Sequence, residues 1–213
     1  MKNLVIFDLD GTLIDTIADL GNACNYALQK HGLPVHPISA YNQMVGNGIK
    51  NMLKKAAGKQ DSSEENAILS DFFDYYDRHC TDLTRPYSGI PELLSALRSR
   101  GLKLAVCSNK YQRAADKIIN HFFPDTFDYV FGEREGIPRK PDPTVIGIIL
   151  DEAGTSRADA IMVGDSEVDI QTAHNARLEC VGVTWGFRTT EQVSEAHPTH
   201  IVSDPMEILG YLQ

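Results

Sequence analysis

No run of about eighteen apolar residues occurs in the 213-residue sequence, which excludes a membrane-spanning helix and leaves no segment suited to lipid. Positive charge is in deficit. With 20 Lys and Arg against 29 Asp and Glu, the formal net charge is -9, so no general field exists to attract nucleic acid or an anionic membrane. Any anionic substrate must be held by local groups or by a metal. Cysteine is scarce: Cys24, Cys80, Cys107 and Cys180 form no CxxC pair and suit buried thiols in a reducing compartment rather than disulfides. The seven histidines include no HxxxH or HxH pair, which argues against zinc. Internal repeats and low-complexity segments are also missing. The chain opens directly on Lys2 and Asn3, and a soluble, cytoplasmic protein of one or two domains is expected.

What is present is alternation. Short apolar runs at residues 4–7, 103–106, 129–131, 161–163, 181–184 and 201–202, each bounded by polar residues, Gly or Pro, predict buried strands of a parallel sheet. Between them lie helical patterns with readable ends: 91–100 closing at Gly101, 111–121 before Pro124, 144–153 closing at Gly154, and 166–176. Strand and helix in turn predict an α/β fold, a doubly wound, Rossmann-like parallel sheet. Residues 15–84 depart from this rhythm. Ile17, Leu20, Ala23, Cys24, Ala27 and Leu28 recur at helical spacing, residues 71–76 do so again, and residues 60–65 read as a polar loop between helices. An insert of about 70 residues is too long for an ordinary crossover, so residues 15–84 are expected to form an α-helical cap domain on a core of residues 1–14 and 85–213.

In open α/β sheets ligands bind beyond the carboxyl ends of the strands. The first predicted strand runs into Asp8-Leu9-Asp10-Gly11-Thr12, and the second ends at Ser108-Asn109. Lys140-Pro141-Asp142 follows the third, and the fourth leads to Gly164-Asp165-Ser166, with Asp169 one turn on. Asp8 and Asp10, two apart on extended chain, can point the same way. Paired carboxylates repel unless something positive lies between them, and a hard divalent cation such as Mg²⁺ suits oxygen ligands, with Asp165 as a further carboxylate. Asp169 would hold the metal's waters or orient Lys140. An aspartate is already an anion at neutral pH and can attack phosphorus without a base to activate it. In that chemistry Asp8 is the nucleophile, and Asp10, expected among neighbouring acids, protonates the leaving group and then takes a proton from water. Ser108 donates to a phosphoryl oxygen and Lys140 offsets the shared charge. Singly, these residues have plain structural uses as turn residues, helix caps or a solvated lysine. Jointly they fall where one pocket would form.

These residues resemble, in order and in context, the four motifs of the haloacid dehalogenase superfamily of phosphohydrolases. Phe7-Asp8-Leu9-Asp10-Gly11-Thr12-Leu13 resembles the first motif, Cys107-Ser108-Asn109 the second, Lys140-Pro141 the third and Gly164-Asp165-Ser166-Glu167-Val168-Asp169 the fourth. The resemblance spans essentially the whole chain. It implies that Asp8 is the nucleophile and Asp10 the general acid/base, that magnesium is bound by Asp8, the Asp10 main-chain carbonyl and Asp165, and that Asp169 is the further acid near the metal. Thr12 and Asn109 are expected at the substrate. A helical insert after the first motif is similar to the cap that closes over the site in one branch of the superfamily. Within that branch the chain is most similar to phosphoglycolate phosphatases. Val45-Gly46-Asn47-Gly48 resembles their substrate-facing loop, which places Gly46, Asn47 and Gly48 at the substrate. Pro86-Tyr87-Ser88-Gly89-Ile90 and Val183-Thr184-Trp185-Gly186-Phe187 resemble stretches flanking their core.

The implied partner is a small phosphorylated metabolite, with no nucleic acid and no membrane, and the protein is a monomer or a homodimer. Other functions stay open on the residues alone: a sugar-phosphate, nucleotide or pyrophosphate hydrolase, a sugar phosphomutase, a dehalogenase, a phospho-acceptor switch or a degenerate structural member. Extra acids at Asp10 and Asp165 argue against the dehalogenase, whose carboxylate substrate they would repel. Lys50, Lys54 and Lys55 read as helix-surface charge, and Trp185 and Arg188 as rim packing.

Overall fold

The computed structural model describes residues 1–212. The chain begins with β1 (Leu4–Phe7) and a two-residue β2 (Ile14–Asp15), then leaves the sheet through helices α1 (Ile17–Lys30), α2 (Ile49–Ala57) and α3 (Ser62–His79). It returns through β3 (Arg85–Pro86) and alternates from there: α4 (Ile90–Ser99), β4 (Lys103–Tyr111), α5 (Gln112–Phe122), β5 (Tyr129–Glu133), α6 (Thr144–Ala153), β6 (Ala160–Gly164), α7 (Glu167–Ala176), β7 (Glu179–Val183), α8 (Thr190–Glu195) and β8 (His200–Val202). No helix among the described residues is long and apolar enough to cross a membrane.

The six main strands form one parallel sheet in the order β5-β4-β1-β6-β7-β8. All four side chains of β1 are fully buried, because helices cover both faces: Val5 and Phe7 enter one core, Leu4 and Ile6 the other. The chain winds outward from β1 through β4 to β5, crosses over, and winds outward again from β6 to β8. Winding therefore reverses beside β1, the place where open α/β sheets leave a crevice. Register sets what enters it. Phe7 lies level with Val106 of β4 and Val163 of β6, so Asp8 leaves the sheet level with Cys107 and Gly164, one residue short of Ser108 and Asp165.

The inserted helices pack on one another through Leu20, Leu28, Tyr41, Phe72 and Tyr76, all buried. The polar stretch 60–65 is mostly helix: Asp61 accepts from the N–H groups of Ser63 and Glu64 at 2.8 and 2.9 Å and starts α3 at Ser62. The outgoing and returning chains pair as an antiparallel ribbon, Ile14 with Pro86 and Asp15 with Arg85, too short to show any period in sequence. Beside it, buried Asp19 of α1 accepts from the N–H groups of Leu83 and Thr84 and from the Thr84 hydroxyl. Strand β4 runs five residues past the expected end at 106, so Ser108, Asn109 and Lys110 are buried strand residues rather than loop. The four cysteines are buried and free, and burial pushes the Cys24 thiol up to about 11 and the Cys107 thiol up to about 12.

Candidate active site

Asp8 leaves β1 with its N–H donating to Val163 O at 2.9 Å, which holds it at the carboxyl end of the sheet. Its Oδ1 accepts from Leu9 N–H at 2.7 Å and from Lys140 Nζ at 2.9 Å, and among the described residues Oδ2 has no partner. Lys140 arrives on the loop after β5 and also donates to Asp169 Oδ1 at 2.6 Å. The other oxygen of Asp169 accepts from the N–H and hydroxyl of Ser166, the capping box that starts α7. Ser166 caps that helix, which leaves Asp165 free of the capping use an aspartate before a helix often has. Asp165 accepts from the Thr12 hydroxyl at 3.1 Å and from Phe187 N–H at 2.8 Å.

Gly11 and Gly186 allow this approach. A Cβ on Gly11, whose φ is +88°, would run into the Asp165 carboxylate, and one on Gly186 would meet both Asp165 and the Gly11 carbonyl oxygen.

Asp8, Asp165 and Asp169 can bring one oxygen each within 4.8 Å of one another, all from buried side chains. Burial first, then Asp169, pushes Asp8 up to about 7 despite Lys140; burial, then Asp169 and Asp8, pushes Asp165 up to about 8. Burial would depress Lys140, but Asp169 and Asp8 hold it above the ordinary lysine value, so it stays an ammonium. Three carboxylates around one ammonium leave two negative charges uncompensated, the charge of one divalent cation. Hard oxygen donors, that surplus and the Asp10 main-chain carbonyl, which accepts no hydrogen bond among the described residues, fit magnesium.

Asp10 lies at the same mouth, within reach of the Asp8 charge as expected, and is paired with a lysine as well. Lys110 Nζ donates to Asp10 Oδ1 at 3.0 Å and Oδ2 at 3.1 Å, and the Thr16 hydroxyl donates to Oδ1 at 2.8 Å. Together Asp8, Asp10, Ser108 and Asp165 floor a cavity of about 40 Å³ roofed by Val45, Gly46, Gly48, Ile49 and Met52 of the insert.

Of the expected substrate residues, Thr12 and Asn47 do not line the cavity, and Asn109 lines it with its amide taken up by protein partners. The Thr12 hydroxyl is fully buried and orients Asp165, while its carbonyl accepts from Trp185 Nε1 at 3.0 Å. The Asn109 amide donates to Gly46 O and Lys140 O and accepts from Lys140 N–H, so it fastens two loops. Asn47 does not line the cavity; its carbonyl accepts from Asn51 Nδ2 and Arg139 Nη1. Lys50, Lys54 and Lys55 sit on the exposed side of α2, outside the cavity.

Two residues that the motifs do not single out also belong to the site. Lys110 follows Ser108-Asn109 directly, and its only sequence signal was a lysine at the end of an apolar strand. Arg188, read as rim packing, lines the cavity and is 7% exposed, donating to Asn42 O and Val45 O of the insert and to Glu167 of α7.

The haloacid dehalogenase-like hydrolase family model matches residues 5–183. A phosphoglycolate phosphatase of Psychrobacter arcticus is 32% identical over 99% of this chain and 96% of its own length. One from Mesorhizobium japonicum is 33% identical over 95% of this chain and 91% of its own. The crystal structure of a candidate phosphoglycolate phosphatase from Lactobacillus delbrueckii subsp. bulgaricus superposes with a TM-score of 0.92 at 33% identity, covering 100% of this chain and 99% of that one.

Proposed function

Because the chain belongs to the haloacid dehalogenase-like hydrolase family, we propose that it is a magnesium-dependent phosphatase that hydrolyses a small phosphate monoester, 2-phosphoglycolate foremost, through an aspartyl-phosphate on Asp8. The observation that carries this reading is the cluster at the winding reversal: Asp8 with one oxygen free, Lys140 bonded to it, and Asp165 adjacent with charge left for a divalent cation. Asp8, Asp165 and the Asp10 main-chain carbonyl would hold the ion. When bound, magnesium offsets the repulsion between Asp8 and the phosphate and stabilises charge on the transferring group.

The chain's own residues do the rest. Asp8 Oδ2 attacks phosphorus while Lys140 neutralises charge at Oδ1. The Ser108 hydroxyl accepts from Lys110 N–H at 3.3 Å, and its own proton has no acceptor among the described residues, so it is available to a phosphoryl oxygen. Asp10 protonates the departing alkoxide, then takes a proton from the water that cleaves the aspartyl-phosphate. Residues 15–84 act as the cap, with residues 1–14 and 85–213 as the catalytic core. Leu20 and Met52 keep water out, and the N–H groups of the loop at Gly46 and Gly48 receive the substrate's carboxylate. The cavity's small size favours a substrate of few atoms. Four buried free thiols fit a reducing compartment such as the cytoplasm.

The test is phosphate release from a panel of monoesters, 2-phosphoglycolate included, with magnesium or with excess chelator, for the wild type beside Asp8→Asn. Metal-dependent turnover lost in the variant, with 2-phosphoglycolate ranked first, is the expected result. A sugar phosphate isomerised instead of hydrolysed, or phosphate released by the variant at the wild-type rate, would overturn it.

A further inference from the structure

Lys110 is the one lysine of the site that the phosphoryl-transfer chemistry above leaves without a task. Its side chain is fully buried, near the end of β4 and one residue after Asn109. Nζ reaches both oxygens of Asp10, at 3.0 and 3.1 Å, and the hydroxyl of Tyr76 at 2.8 Å, with the Tyr76 ring centroid 4.8 Å away. Tyr76 belongs to α3 of the insert and is itself buried; burial, then Asp10, holds its phenol well above the ordinary value, so it serves as a neutral acceptor. A buried ion pair of this kind adds little stability over apolar packing, so a stabilising role does not account for it. Geometry suggests another use. A carboxylate bonded through both oxygens to one ammonium cannot rotate freely, and the ammonium is anchored in turn to a helix of the insert.

We infer that Lys110 is a positioning residue that aims the Asp10 carboxyl group at the leaving-group oxygen and, through Tyr76, makes that aim depend on α3 being docked. The inference rests on the phosphatase reading. In the step concerned, with the acid proton on one Asp10 oxygen and Lys110 bonded to the other, the bond from Asp8 Oδ2 to phosphorus forms, the bond from phosphorus to the ester oxygen breaks, and that proton passes to the ester oxygen. An alkoxide needs that proton, whereas 4-nitrophenolate departs as a stable anion.

The experiment compares kcat/KM for an alkyl monoester, 2-phosphoglycolate, with kcat/KM for 4-nitrophenyl phosphate in the wild type, Lys110→Met, Lys110→Arg and Tyr76→Phe. This constant reports the steps up to release of the alcohol, before the common intermediate is hydrolysed. In Lys110→Met the alkyl-to-aryl ratio should fall by about tenfold or more, the scale of impaired general-acid catalysis. Lys110→Arg should recover part of it, and Tyr76→Phe should lower it by a smaller factor. Partial misfolding reduces both substrates alike and leaves the ratio untouched, so an unchanged ratio in Lys110→Met overturns the inference. If that variant turns over neither ester, the ratio in Tyr76→Phe decides in the same way. A wild type that cleaves neither ester defeats the phosphatase reading itself, a distinct result.

Discussion

At the scale of single residues, the site depends on how closely side chains approach one another. Gly186 illustrates this: a methyl group there meets the Gly11 carbonyl and Asp165 Cβ, neither of which can swing away as the tip of a long side chain could. Gly186→Ala should displace Asp165 and raise the magnesium concentration for half-maximal activity by about tenfold, the usual size of a disturbed ligand environment; a magnesium titration of turnover measures it. Lys140 sits between Asp8 and Asp169 with 2% of its side chain exposed. Lys140→Met keeps the volume but removes the charge, and kcat should fall by about a hundredfold or more. A loss below threefold in steady-state kinetics would contradict the role given to it.

At the scale of elements, the insert is attached to the core at two places with different chemistry. The chain segments that join them are tied by Asp19, which accepts from three donors of residues 83 and 84. Asp19→Ala strands buried donors and should destabilise the protein by about 3 kcal/mol, read from urea unfolding. Across the cavity, the loop before α2 is clasped by its carbonyls: Asn42 and Val45 to Arg188, Gly46 to Asn109, Asn47 to Arg139. Donors of the core thus take the loop's carbonyl oxygens. Arg188→Met should speed amide exchange in residues 42–48 by about tenfold, equivalent to about 1.4 kcal/mol, and raise KM more than it lowers kcat. Unchanged exchange in that loop, measured by mass spectrometry, would show that the clasp does not hold it.

For the whole molecule, the acidic cluster links pH, metal and stability. Asp8 and Asp165 sit at about 7 and about 8 in the metal-free protein, against an ordinary 3.8. The native state therefore holds protons that the unfolded chain has released. Their contribution to stability is fully present below about pH 4 and is lost as pH rises through about 7 to 8. Magnesium bound as proposed would take the ionised carboxylates and reverse that loss. The rise in Tm on adding magnesium should be larger at pH 8 than at pH 6, by about 5 °C; equal shifts at both pH values in thermal unfolding would contradict the charge surplus. Asp8→Asn removes one of the crowded charges and should raise the Tm of the metal-free protein at pH 8 while abolishing turnover.

Much of this architecture is legible in local sequence. A strand buried on both faces must be apolar throughout, and helices must carry their own period and ends, so 4–7, 144–153 and the insert's helical spacing identify the layers before any contact is known. Asp8, Asp165 and Lys140 can be placed for the same reason, since ligands gather beyond strand ends and those ends are marked in sequence; the run of β4 past Ser108 is not. The partner of Asp10 lies 100 residues away. No local pattern says that Lys110 rather than another acid meets it, that the Thr12 hydroxyl turns to Asp165, or that the Asn109 amide is filled by Lys140 and Gly46. Such pairings depend on which buried polar group finds a partner once helices and strands have packed. Local pattern specifies the sheet, the insert and the positions that bear charge; which charge answers which emerges only on folding, because hydrogen-bond satisfaction is a property of the assembled interior.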